Sequence, residues 1–128
     1  MRVALDTNVI VRFLVVDDEP QALAARALLH TADQILISTL VLCETVWVLS
    51  RAYRYPAASL ADALRQLTDI QGVEIDRPIF EAGLAMLERG GDFADGCILF
   101  EAGRAKCDRL ATFDAGLIAL SQGRASLP

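Results

Sequence analysis

A chain of 128 residues and 13.9 kDa is the size of one domain, and residues 1–128 are expected to form a single domain around one core. Hydrophobic residues make up 54% and mean hydropathy is +0.38, which leaves apolar surface for a partner once a core is filled. A net charge of −5 and a pI near 4.7 argue against strong non-specific attraction to nucleic-acid phosphates. No apolar run approaches the roughly 20 residues that cross a bilayer. Arg2 and Asp6 leave no apolar stretch for a signal peptide at the start of the chain, so a cytoplasmic protein with no membrane contact is expected.

Taken in chain order, short apolar strands alternate with helices. Arg2 to Leu5 suits a buried strand, and Asn8 to Val16 a short apolar helix. Asp17 to Pro20 marks a loop and a helix start, followed by a helix to Thr31 with Leu23, Ala27 and Leu28 on its inner face. Ile35 to Ile37 is a second strand, after which Ser38 or Thr39 caps a helix that runs to Ala52. Pro56 breaks that helix. Leu60, Leu64 and Leu67 then space a helix over 59–68, and Gly72 to Asp76 gives a strand and turn. Pro78 opens a helix carrying Ile79, Leu84 and Leu87 that ends at Gly90-Gly91. Asp92 begins a helix to about Lys106, Leu110 to Thr112 is a strand, and Asp114 to Leu120 a last helix. The alternation predicts an α/β domain with a mainly parallel sheet.

Three scattered cysteines, Cys43, Cys97 and Cys107, form no Cys-x-x-Cys pair and are expected as buried thiols. A single His30 has no second histidine with which to share a metal. Of the twelve basic residues only Lys106 is lysine, and arginine is the better bidentate phosphate ligand.

The acidic residues carry the functional signal. Asp6 follows the first strand and Asp114 follows the fourth, and ligands of parallel α/β sheets bind at strand carboxyl ends. Glu44 lies in Leu40-Val41-Leu42-Cys43-Glu44-Thr45-Val46-Trp47-Val48-Leu49 with no basic residue nearer than Arg51. Two readings stand: a desolvated carboxylate that needs a metal, or a polar stripe with Ser38 and Thr45 facing water. Asp92 and Asp95 open a helix, where Asp is also a good cap and complements the helix dipole. Hard cations such as Mg²⁺ and Mn²⁺ take carboxylate and water oxygens from several elements and leave positions for a substrate phosphate. Asp or Glu at several strand ends without a catalytic histidine meets that requirement.

Asp6-Thr7-Asn8-Val9, Glu44 in the Ser38-Thr39 helix, Asp92-Phe93-Ala94-Asp95 and Thr112-Phe113-Asp114 resemble, in order and spacing, the PIN-domain nucleases, and among them the VapC toxins of bacterial toxin–antitoxin pairs. The resemblance spans nearly the whole chain. It implies a three-layer α/β/α sandwich with a central, mainly parallel sheet and Mg²⁺- or Mn²⁺-dependent endoribonuclease activity. Asp6, Glu44 and Asp95 match the three core acids and Asp114 the fourth, more variable one. Asp6 and Asp95 would be the principal metal ligands, with Glu44 and Asp114 holding metal or its waters. Asp92 matches an acidic position given a capping or supporting role, and Thr7, Asn8 and Thr112 would orient carboxylates. The implied reaction is in-line attack of metal-activated water on an RNA phosphodiester, leaving 5′-phosphate and 3′-hydroxyl ends. The implied partners are RNA, a VapB-type antitoxin and a second copy of the chain. Gly96 stands where Ala is more usual in the family and is expected to loosen the helix start. Arg12, Arg51, Arg54 and Arg89 are candidates for the RNA surface.

Two other enzyme classes fit less well. A haloacid-dehalogenase-like phosphotransferase with Asp6 as nucleophile wants a second Asp where this chain has Asn8, and a receiver module lacks the acidic pair and a placed lysine. The remaining alternative is a non-catalytic PIN-like module that binds RNA or protein, which predicts a damaged acid set.

Overall fold

The computed structural model describes all residues, Met1 to Pro128. They divide into two compact units, Met1–Asp76 and Arg77–Pro128. Every strand pairing is parallel, so the α/β class with parallel strands stands as expected.

In the first unit, β1 (Arg2–Ala4), β2 (Gln34–Leu36) and β3 (Val73–Glu74) form a three-stranded ladder in the order β1-β2-β3. Val3 is opposite Ile35, and Ile35 opposite Val73. Parallel neighbours need a crossover, and the helices supply it: α1 (Thr7–Leu14) and α2 (Glu19–Thr31) between β1 and β2, then α3 (Thr39–Arg51) and α4 (Ala57–Thr68) before β3. Asp6, Asp18 and Ser38 cap α1, α2 and α3 through side-chain oxygens. Ile10, Ile35, Ile37, Leu42, Leu49, Leu64 and Leu67 are fully buried, so the i, i+4, i+7 spacing read in α4 does face inward.

Helix α2 differs from its sequence pattern. Leu23 is 57% exposed and Ala27 is exposed, whereas Ala22, Ala25 and Leu29 are buried. Small residues line the packed face because α1 lies close against α2, and the larger Leu23 is turned out. Cysteine burial also departs from expectation. Cys97 is buried, Cys43 half-buried and Cys107 exposed, the last in the turn after a helix, where little covers a side chain. None forms a disulfide, and His30 is exposed at the end of α2.

The second unit comprises α5 (Arg77–Glu88), α6 (Phe93–Arg104), β4 (Leu110–Ala111), α7 (Ala115–Leu120) and β5 (Ala125–Ser126), with β4 and β5 paired. Strand β5 has no apolar run to announce it in the sequence. Its buried Ala125 joins Met86, Leu99 and Leu117 in a cluster flanked by Leu110, Ile118 and Leu120. Phe80 and Phe93 meet edge to face at 6.1 Å between centroids. A Cβ at Gly83 would come within 2.6 Å of the Phe93 ring.

Gly96 does not loosen α6. A Cβ there would lie 2.6 Å from both the Ala82 carbonyl oxygen and the Met86 Cβ, and 3.0 Å from the Gly83 Cα. The bare position lets α5 and α6 touch backbone to backbone. No helix is long and apolar enough to cross a membrane.

Gly96→Ala should therefore destabilise the chain by about 1–3 kcal/mol, the usual range for overpacking. Gly103→Ala, in the same helix with nothing within 4 Å of the added Cβ, should stabilise it by up to about 1 kcal/mol through helix propensity. Urea unfolding of the two variants beside the parent checks both signs.

Candidate active site

The candidate acids fall in both units. In the first, Asp6 stands just past the carboxyl end of β1 as the N-cap of α1. Its backbone is extended (φ −87°, ψ 162°) and its Oδ1 accepts from the Thr7 backbone N–H at 2.8 Å. The next residue gives the sharper local observation: the Thr7 hydroxyl is buried and meets no hydrogen-bond partner. An orphaned buried hydroxyl costs about 1–3 kcal/mol, a cost that a water or ion reaching it would relieve. What reaches the Asp6 carboxylate is Thr7's backbone amide rather than its hydroxyl. Asn8 is exposed and lines, with Arg12, a cleft of about 300 Å³ between α1 and α2.

Glu44 is exposed on the outer face of α3, so of the two sequence readings the water-facing one describes it. Thr45, grouped with it in that stripe, is instead buried and donates its hydroxyl to the Val41 carbonyl at 2.8 Å. Glu44 shares its face with Leu40 (70% exposed) and Trp47 (60% exposed), and the Arg51 guanidinium sits 6.0 Å from the Trp47 ring centroid.

In the second unit, Asp92 caps α6 and accepts from the Ala94 N–H at 3.3 Å. Asp114 caps α7, accepting from the Leu117 N–H at 3.0 Å. The Thr112 hydroxyl accepts from the Asp114 backbone N–H at 3.0 Å and so fixes the turn rather than the carboxylate. Asp95 lies half-buried in the first turn of α6. Burial pushes its carboxyl above the usual carboxylate range, and the nearby charges of Asp92 and Asp114 push it further in the same direction. The dipole at a helix start favours a charged carboxylate; here desolvation and like charge win.

Donor chemistry fits a hard divalent cation: the candidates are all oxygens, and a positive charge would relieve the crowding at Asp95. In neither unit do three His, Cys, Asp or Glu side chains close into a ready-made cage.

The arginine candidates behave differently from one another. Arg12 is engaged by Gln21 at 2.6 Å, Asp17 at 2.9 Å and the Tyr53 hydroxyl at 3.4 Å. Tyr53 donates to Asp17 at 2.7 Å, and this bond with the Arg12 charge holds the Asp17 carboxyl below its ordinary range. Arg12 is thus committed to a structural cluster. Arg51 and Arg54 are exposed, Arg54 with a left-handed φ of 56°. Arg89 braces the Leu120 carbonyl at 3.0 Å. Arg124, which sequence reasoning passed over, lies near the chain end outside every motif, and only the fold draws attention to it.

The family model for the PIN domain matches residues 3–122. No curated protein matches the chain. Among solved structures, Mycobacterium tuberculosis VapC20, described as a Sarcin-Ricin loop cleaving toxin, is similar at 19% identity with a TM-score of 0.44, over 93% of this chain and 94% of that one.

Asp95 has a folded pKa above its unfolded one, so folding disfavours its charged form. The cost is fully present above the folded pKa and vanishes below the unfolded one. Asp95→Asn should therefore melt a few degrees higher than the parent at pH 7, and the gap should close as pH falls toward 4. Thermal melts of both chains across that range check the sign.

Proposed function

We propose that this chain, which belongs to the PIN-domain family, is a metal-dependent endoribonuclease and the toxin of a VapBC-type pair. The family is one of RNA-cleaving nucleases. The observation that carries the catalytic reading is Asp95, held half-buried in the negative field of Asp92 and Asp114, within a chain that keeps every acid of the family motif. The toxin role rests on those motifs, and with it come an antitoxin partner, a homodimer and a cytoplasmic location. We read residues 1–128 as one functional domain.

Asp6 and Asp95 would be the principal ligands of Mg²⁺ or Mn²⁺, with Glu44 and Asp114 holding metal or its waters. Such an ion, when bound, lowers the pKa of its water and neutralises charge that builds on the phosphate. The chain's own part is positional. Asp6 and Asp114 are each tethered by one carboxylate oxygen to a helix-start amide, which leaves the other oxygen for a ligand. Asp92 keeps the start of α6 in register and maintains the negative potential at Asp95. The buried Thr7 hydroxyl supplies one further donor or acceptor beside Asp6. The non-catalytic alternative expects a damaged acid set, and Asp6, Glu44, Asp95 and Asp114 are all present.

Cleavage of labelled total tRNA and structured RNAs, with Mg²⁺ or Mn²⁺ and with EDTA, tests this reading. Metal-dependent cutting should fall about 100-fold or more in Asp6→Asn and in Asp95→Asn, with less loss in Asp114→Asn. Asn still caps helices well, so Asp6→Asn should remain folded. Mn²⁺ should also raise the parent's melting temperature through binding to the folded state, and should do so less in Asp95→Asn. Equal cutting by all preparations would mark the activity as contamination. No cutting of any RNA by a folded parent would favour the binding module.

A further inference from the structure

A second cavity lies wholly within the second unit, between α5, α6 and the turn that follows α7. It has a volume of about 240 Å³. Met86, Leu99 and Phe100 give it an apolar floor, and Arg89, Gln122 and Arg124 give it polar walls. Both arginines are fixed by main-chain oxygens. Arg89 donates one Nη2 bond to the Leu120 carbonyl at 3.0 Å, and Arg124 donates Nε to the Ser121 carbonyl at 3.0 Å. Neither meets a carboxylate, in a chain with seventeen acidic residues against twelve basic ones. Gln122, between the two carbonyl-bearing residues and Arg124, adopts a left-handed φ of 56°. That conformation is costly for a side chain with a Cβ, yet it belongs to the residue that brings an amide to the cavity wall.

Two guanidinium groups without counter-ions, each with its rotamer already restrained, make a preorganised fork for an oxyanion. A phosphodiester oxyanion matches that fork, and about 240 Å³ is a volume for a small group rather than a drug-sized one. We propose that this pocket binds a phosphate of the RNA strand away from the bond that is cut. The pocket rests on the nuclease reading for its ligand but on none of the candidate acids for its construction. It also gives an acidic chain a local means of holding a polyanion.

The test uses the full chain carrying Asp6→Asn, so that bound RNA stays intact, with a labelled single-stranded RNA oligonucleotide titrated at several salt concentrations. Arg89→Gln and Arg124→Gln should each weaken binding about tenfold or more, the scale of one charged hydrogen-bonded contact. Each should also lower the slope of log affinity against log salt by about 0.7 to 1. Arg124→Lys should restore the slope, because it keeps the charge, which a merely structural brace would not do. If the variants melt like the parent and keep its affinity and slope, the pocket assignment is overturned while the nuclease reading stands. If inorganic phosphate raises the melting temperature of the parent but not of the double Gln variant, and RNA binding is the same in both, the ligand is a free anion and the RNA assignment fails. If the parent binds no RNA at any salt, both readings fall together.

Discussion

A carboxylate has two oxygens, and at the start of a helix only one of them is needed. Asp6, Asp92 and Asp114 each use Oδ1 to accept a backbone N–H of the helix that they begin. Capping and metal binding are therefore compatible demands on the same side chain. The cap fixes the carboxylate's direction, so little rotamer freedom remains to be lost when a cation arrives. It also fixes where each charge sits relative to its own ladder, since Asp6 lies two residues past β1 and Asp114 three residues past β4. The arrangement works only because a parallel strand ends and a helix begins at the same edge.

This dual use explains why the sequence alone could name the acids but not weigh them. Asp6 and Asp92, read singly, looked like ordinary caps and Asp114 like a turn residue, and the structure makes all three of them caps. Glu44 was legible as a motif residue and misleading as a buried one: an apolar string along a helix contains an outward face, and Glu44 lies on it with Leu40 and Trp47. Asp95 lacks a cap's excuse, and its environment singles it out. Its burial and its two acidic neighbours are properties of the folded unit that no local pattern expresses.

Most elements were legible because their signals are local. Apolar periodicity found α4 and α5, and Pro56 found the break before α4. Failures came where packing decides. Small residues face inward from α2 because two helices approach closely, so Ala22 and Ala25 are buried while Leu23 is not. Gly96 reads as a helix breaker and serves as the contact that lets α5 and α6 meet. Strand β5 carries two small residues and takes its conformation from pairing with β4. Arg124 belongs to no motif and matters through a turn whose shape the sequence does not advertise.

The electrostatics of the chain are uneven, and the unevenness has a stability cost. Asp95 sits half-buried beside two acidic neighbours, which disfavours its charged form. The Arg12–Asp17–Tyr53 cluster is the opposite case, with opposite charges and a phenol satisfying one another within the first unit.

The division of the chain also sets a timetable for synthesis. All three strands of the first ladder lie before residue 77, and each crossover helix precedes the strand that it delivers. The ribosome therefore adds every residue of the β1-β2-β3 ladder before it reaches Asp95 or Asp114. A nascent or prematurely terminated product would carry Asp6 and Glu44 without the acids of the second unit.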